Sequence, residues 1–256
     1  MPPIFPTECM KPIFQYIKKN DESLYPSLLV NHYWCKNVVE LLWACPFDSL
    51  NFDNFYKITP IYISLFDKNE KNLLKILLVK NSYEQNSVLK LIPNNKPLFD
   101  YSMMLKEFSL KRLENIVQSW IAVYKPDKKF EELRKQIMNI TEQMILLLFK
   151  LFINSTNLKF LKIDSDKILN YVPDLQLKIG QFLKISKLEI GHTTQSININ
   201  SINFLVKISE SCKQIDNLII KVPAFKKNYH FKKLIISIIN AQEKLKKLAL
   251  GVKIVG

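Results

Sequence analysis

Glycine is scarce in this chain of 256 residues: there are four, at positions 180, 191, 251 and 256. Loops that cradle phosphates need several glycines close together, so nucleotide-binding loops of that kind are excluded. Almost all of the positive charge is lysine, with arginine only at Arg112 and Arg134. Lysine lacks the planar fork with which arginine reads bases and phosphates, so nucleic-acid recognition is not the expected function. The three histidines, His32, His192 and His230, lie far apart, with no HExxH pair and no serine or cysteine elbow. Cys9, Cys35, Cys45 and Cys212 show no metal-type spacing and read as reduced thiols, with Cys9 and Cys35 expected to be buried on helices. No carboxylate pair stands in an apolar setting that would tune it for acid–base work. No catalytic residue, metal or cofactor is therefore expected. The most apolar run, Met144 to Ile153, is broken by Lys150 and is too short for a bilayer. No basic-then-apolar leader is visible, and the expected location is cytoplasmic or nuclear, away from membranes.

What is present is a hydrophobic content of 48% and a net charge of +14. The first 48 residues hold four lysines against five acids, or −1, which leaves +15 on the remainder. A chain so charged should associate readily with polyanions or acidic protein surfaces.

The stretch from residue 4 to 48 is the densest in pattern. Pro6, Thr7 and Glu8 form a helix start, and Met10, Ile13, Phe14 and Ile17 recur at helical spacing. Leu24, Leu28, Leu29 and Tyr33 make a second apolar stripe, and Val38, Leu41 and Leu42 a third. Three short helices in about 45 residues cannot enclose much core, so part of their apolar surface must be covered by the rest of the chain or by another protein. As an ordered set, Phe5-Pro6-x-Glu8, Ile13-Phe14, Ile17, Leu24, Leu28, Val30, Trp34 and Leu42-Trp43 resembles the F-box. The resemblance implies a three-helix unit that docks on the Skp-type adaptor of SCF ubiquitin ligases, and through it on the cullin. It places Phe5, Pro6, Ile13, Phe14, Ile17, Leu24, Leu28, Val30, Trp34 and Trp43 at the adaptor. The sequence departs from the family at Pro12, inside the first helix, where a proline costs about 3 kcal/mol. It departs again at His32-Tyr33, where the family has a basic pair. Pro26 falls in a first helical turn, where proline is tolerated.

Residues 49–154 read as a mainly helical linking region. The aromatic stretch from Phe52 to Phe66 is expected to pack on the first three helices, and Leu73 to Val79 is a short helix or a buried strand. Asn81 to Phe99 reads as a loop, and helical patterns cover Leu105 to Tyr124 and Phe130 to Phe152, the second starting near Asp127.

After residue 155 one form recurs four times: Leu158-x-x-Leu161-x-Ile163, Ile185-x-x-Leu188-x-Ile190, Ile215-x-x-Leu218-x-Ile220 and Leu245-x-x-Leu248-x-Leu250. The central leucines are 27, 30 and 30 residues apart by subtraction, with helical patterns over Ile168–Leu183, Ile202–Ser211 and Phe231–Ile239 between them. Strand and helix at this period resemble a degenerate leucine-rich repeat. The Asn or Cys position of that repeat is occupied by Asp166, Thr193, Pro223 and Lys253. The resemblance implies a short solenoid with a parallel sheet over 155–256, shortened at its C-terminal end. A compact α/β domain with evenly spaced strands is the alternative. In the solenoid, residues between the anchors project from the concave sheet: Lys159, Phe160, Lys162 and Asp164; Ser186, Lys187 and Glu189; Asp216, Asn217, Ile219 and Lys221; Lys246, Lys247 and Ala249. Lys159, Phe160, Lys162, Lys187, Glu189, Asp216, Ile219 and Lys246 are the candidate substrate contacts, on a mildly basic face suited to an acidic or phosphorylated protein.

The expected fold is thus mixed α and α/β, and the expected function is the substrate-recognition subunit of an SCF-type ubiquitin ligase, itself non-catalytic. A leucine-rich-repeat scaffold serving no ligase is the alternative.

Overall fold

The structure, a computed structural model, describes residues 6–19, 24–47, 55–80, 92–123, 131–155, 157–165, 185–191, 199–221 and 229–251. The chain divides into two compact units, Met1–Ser49 and Leu50–Gly256.

The first unit contains α1 (Thr7–Lys19), a 3-10 turn (Tyr25–Leu29) and α2 (His32–Leu42). The Pro6 carbonyl accepts from the Cys9 and Met10 amides and opens α1, which continues through Pro12. The expected second helix is shortened to the 3-10 turn, and Tyr33 belongs to α2 instead. The cause is Asn31: its extended backbone breaks the chain, and its side chain accepts from the Trp34 amide at 2.8 Å, capping α2. Met10, Phe14, Leu24, Val38 and Leu41 form the core, with Ile17, Leu28, Tyr33, Trp34 and Leu42 packed on it. Phe14 meets Trp34 edge to face, with centroids 5.3 Å apart. Thr7 and Tyr33 share a 3.0 Å hydroxyl bond, and Lys18 donates to the Leu41 carbonyl at 3.2 Å, so α1 is tied to α2 near both ends.

The second unit runs α3 (Phe55–Ser64), α4 (Lys68–Lys80), a 3-10 turn (Tyr101–Met104), β1 (Glu107–Ser109), α5 (Leu110–Val123), α6 (Glu131–Ile153), β2 (Phe160–Ile163), β3 (Lys187–Gly191), α7 (Ile199–Ser211), β4 (Asn217–Lys221), α8 (Tyr229–Asn240) and β5 (Lys247–Gly251). All five strands lie in one sheet in sequential order, every pair parallel. The four repeat segments supply β2 to β5. The region 49–154 contributes a fifth strand, β1, which begins where the helical pattern from Leu105 was expected to be continuous. The helix expected over Ile168–Leu183 and the positions Asp166, Thr193, Pro223 and Lys253 lie outside the described residues, as do residues 81–91 of the expected loop.

The aromatic stretch of α3 finds its packing within this unit: α3 lies on α5, and Tyr62 stacks edge to face on Phe152 of α6 at 4.7 Å. Leu73 to Val79 resolves to helix, because Asp67 and Glu70 exchange backbone bonds at 2.8 and 3.0 Å in a capping box ahead of it. Lys150, which interrupts the apolar run of α6, pairs with Glu70 at 2.7 Å and fastens α4 to α6. The start of α5 is capped across the sheet, Asp164 accepting from the Lys111 amide and the Ser109 hydroxyl from that of Arg112.

Strand starts follow one hydrogen-bond rule. The carbonyl of Lys106 accepts from the amides of Lys159 and Phe160, Lys159 from Ser186 and Lys187, Ser186 from Asp216 and Asn217, and Asp216 from Lys246 and Lys247. Each strand is thereby locked to the last before its first ladder pair. Behind the sheet, Phe108, Leu161, Leu188 and Leu218 align in one buried row and Ile163, Ile190 and Ile220 in the next. At β5 both rows reach solvent: Leu248 is 44% and Leu250 58% exposed.

That fading gives a graded expectation. Leu218→Ala should cost about 2–5 kcal/mol by opening a cavity in the packed row. Leu248→Ala, at the same register one strand further on, should cost less than about 1 kcal/mol. Urea denaturation of the two variants measures both, and equal losses would mean that the core extends through β5.

Candidate functional site

Side chains alternate along a strand, so those next to the buried rows point to the opposite face of the sheet. Register brings them into lines. Phe160, Lys187, Asn217 and Lys247 are neighbours across β2 to β5, and Lys162, Glu189, Ile219 and Ala249 form the next line. Five of the eight residues expected to contact substrate, Phe160, Lys162, Lys187, Glu189 and Ile219, therefore share one surface. The other three do not stand on the strands. Lys159, Asp216 and Lys246 each precede a strand, and their backbone groups supply the ladder bonds described above. The alternation that placed them on the face starts one residue later than expected.

At the centre of the face Glu189 lies between two lysines from the flanking strands. Lys221 of β4 donates to its carboxylate at 2.9 Å, and Lys162 of β2 approaches the same oxygen at 3.5 Å while standing 3.6 Å from Asp164. Lys221, the closer partner, was expected on the face but not among the eight contacts. Its register neighbours on both sides are Gly191 and Gly251. Burial pushes the Glu189 carboxyl up, but the bonds and charges of Lys221 and Lys162 outweigh this and hold it below its ordinary value. Lys187 places its ammonium 4.0 Å from the centre of the Phe160 ring, a cation–π contact.

The first unit presents a surface of a different kind. Of the ten expected adaptor contacts, Phe5 lies outside the described residues. Pro6, Ile13 and Val30 are exposed, and Ile17, Leu28, Trp34 and Trp43 are half-buried. Phe14 and Leu24 are core residues and offer no surface to a partner. Their positions in the motif reflect the unit's own packing. Three large exposed side chains were missed: Tyr16, Tyr25 and Leu29, the last 88% exposed. Tyr16 follows Ile13 by three residues on α1, and that spacing was the available signal.

The thiols divide by location. Cys9 is exposed and Cys35 half-buried, which corrects the expectation that both are buried; α1 and α2 turn other faces to the core. Cys212 is buried, and desolvation pushes its thiol up to about 12, leaving it neutral and unreactive. Among the described residues no group of three or more His, Cys, Asp or Glu side chains could hold a metal ion, and no helix is long and apolar enough to cross a membrane.

No protein-family model matches the chain, and neither a curated protein nor a solved structure matches it.

The depressed Glu189 pKa makes a signed prediction. A carboxylate favoured by folding contributes stability above its unfolded pKa, and that contribution disappears as pH falls through the lower folded value. Between neutral pH and the region below 4.5, wild type should lose stability relative to Glu189→Gln, which cannot titrate. Denaturant midpoints measured for both proteins across that range check this, and parallel curves would show that the lysines do not favour the charged form.

Proposed function

We propose that the protein is an F-box substrate receptor of an SCF-type ubiquitin ligase, with the first unit as adaptor anchor and a degenerate leucine-rich-repeat sheet as capture surface. The observation that carries the reading is the first unit itself. It folds around a small core of its own and leaves Ile13, Tyr16, Tyr25, Leu29 and Val30 exposed. Isolated exposed apolar residues are ordinary; five large ones on one small unit support a surface that meets another protein. The ordered agreement of residues 4–48 with the F-box supports a Skp-type adaptor as that partner. α1 continues through Pro12, which supports an intact box.

The second unit supports the rest of the reading. Its strands recur with the spacing of the leucine anchors, and its free face gathers polar and charged side chains over a rigid parallel sheet. A receptor of this type catalyses nothing. It holds a target near the ubiquitin-loaded enzyme and so raises the effective concentration of target lysines.

Calorimetry of the full chain with a purified Skp-type adaptor tests the reading. The corrected geometry selects the variants: Phe14→Ala would damage the core, whereas Leu29→Asp and Val30→Asp change only surface. Wild type should bind below about 1 μM, and each variant should weaken binding by at least about tenfold. A folded wild-type chain without adaptor binding overturns the ligase reading and favours the repeat scaffold.

A further inference from the structure

The solvent face of the sheet has an arrangement that narrows what it can take. Parallel strands lie about 4.8 Å apart, so Lys162 and Lys221, on either side of β3, can reach one anion above Glu189. Glu189 already fills part of that role, but unevenly. Its bond to Lys221 is a full charge-assisted hydrogen bond at 2.9 Å, whereas Lys162 stands off at 3.5 Å, beyond the usual range. An ammonium has three donors, so both lysines keep capacity toward solvent, where they are 57% and 37% exposed. Lys187 and Lys247 add two further cations in the adjacent line, against the acids Glu189 and Asp164. Beside the charged centre, Ile219 and Ala249 are register neighbours and form an apolar step.

We infer that this face binds an extended acidic peptide segment, one carboxylate of which bonds Lys162 and Lys221 in competition with Glu189 while a neighbouring apolar side chain rests on Ile219 and Ala249. Charge complementarity selects the acid, and Glu189 itself, with one carboxylate oxygen 2.9 Å from Lys221 and 3.5 Å from Lys162, shows that the spacing of the two lysines fits a carboxylate. Glu189 then acts as a built-in competitor, keeping the lysines positioned while the face is empty and giving way to a segment that brings carboxylate and apolar contact together. The inference deepens the proposed function and rests on its reading of the sheet as the capture surface; it does not depend on adaptor binding.

The test is fluorescence anisotropy of the full chain with a labelled synthetic peptide of alternating Glu and Leu, alongside its Gln–Leu and phosphoserine–Leu counterparts. The Glu–Leu peptide should bind and the Gln–Leu peptide should not. Lys162→Gln with Lys221→Gln should weaken binding at least about tenfold. Lys232→Gln with Lys233→Gln, which removes the same charge from exposed positions on α8, should change it less than about twofold. Glu189→Gln should strengthen binding about threefold or more by removing the competitor. Lys162→Gln alone, at an exposed side chain, serves if the double variant melts early. Equal weakening by the two lysine pairs, or no gain from Glu189→Gln, overturns the inference as mere attraction to a basic chain. Tighter binding of the phosphoserine peptide overturns the choice of carboxylate. Adaptor binding measured on the same samples separates the two proposals: loss of adaptor binding with peptide binding retained defeats the ligase alone.

Discussion

Register in the parallel sheet is the constraint on which the second unit depends. Side chains alternate with period two, so a slip of one residue between β2 and β3 would turn Lys187 and Glu189 toward the core and Leu188 and Ile190 toward water. Two features prevent it. Each strand start is held by a carbonyl that accepts two amides from the next segment, and the interior rows are apolar without interruption, from Phe108 to Leu218 and from Ile163 to Ile220. The same lock aligns the outer face: the pairing of Lys162 with Glu189 and the approach of Lys221 follow from it. The packed rows and the line of charges on the outer face are therefore two sides of one alignment.

Much of this was legible because hydrophobic periodicity is a strong signal where it repeats. The anchors Leu161, Leu188, Leu218 and Leu248 were found from spacing, and the structure pairs them directly. β1 was not legible. It has three residues, only Phe108 of them turned to the core row, and the helical pattern of α5 begins immediately after it. A strand that short is defined by its neighbour, and its ladder to Phe160–Lys162 has no trace in local sequence. The capping box Asp67-x-x-Glu70 and the cap Asn31 were readable and overlooked, and each decided an element that periodicity alone left ambiguous.

The candidate surfaces were legible to different degrees for a physical reason. On a strand, facing is settled by counting residues, and only the starting residue was misjudged, which displaced Lys159, Asp216 and Lys246. On short helices a motif position does not say whether its side chain supports the unit or meets a partner. Phe14 and Leu24 match the F-box pattern as well as Ile13 and Val30 do, yet the first two are core and the others surface. Only packing separates them, and packing depends on where Asn31 ends the second segment and starts α2.

The two units also divide the chemistry. The first carries −1 across 48 residues and exposes large apolar side chains; the second carries the whole positive excess and exposes lysines around a few carboxylates. An apolar surface binds through burial and is nearly indifferent to salt, whereas a lysine face attracts acidic partners over a distance set by ionic strength. The two surfaces thus differ in the force through which each can bind. Lysine, a point charge on a flexible stem, can turn its ammonium between neighbouring acceptors such as Glu189 and Asp164, which a fixed arginine fork cannot do.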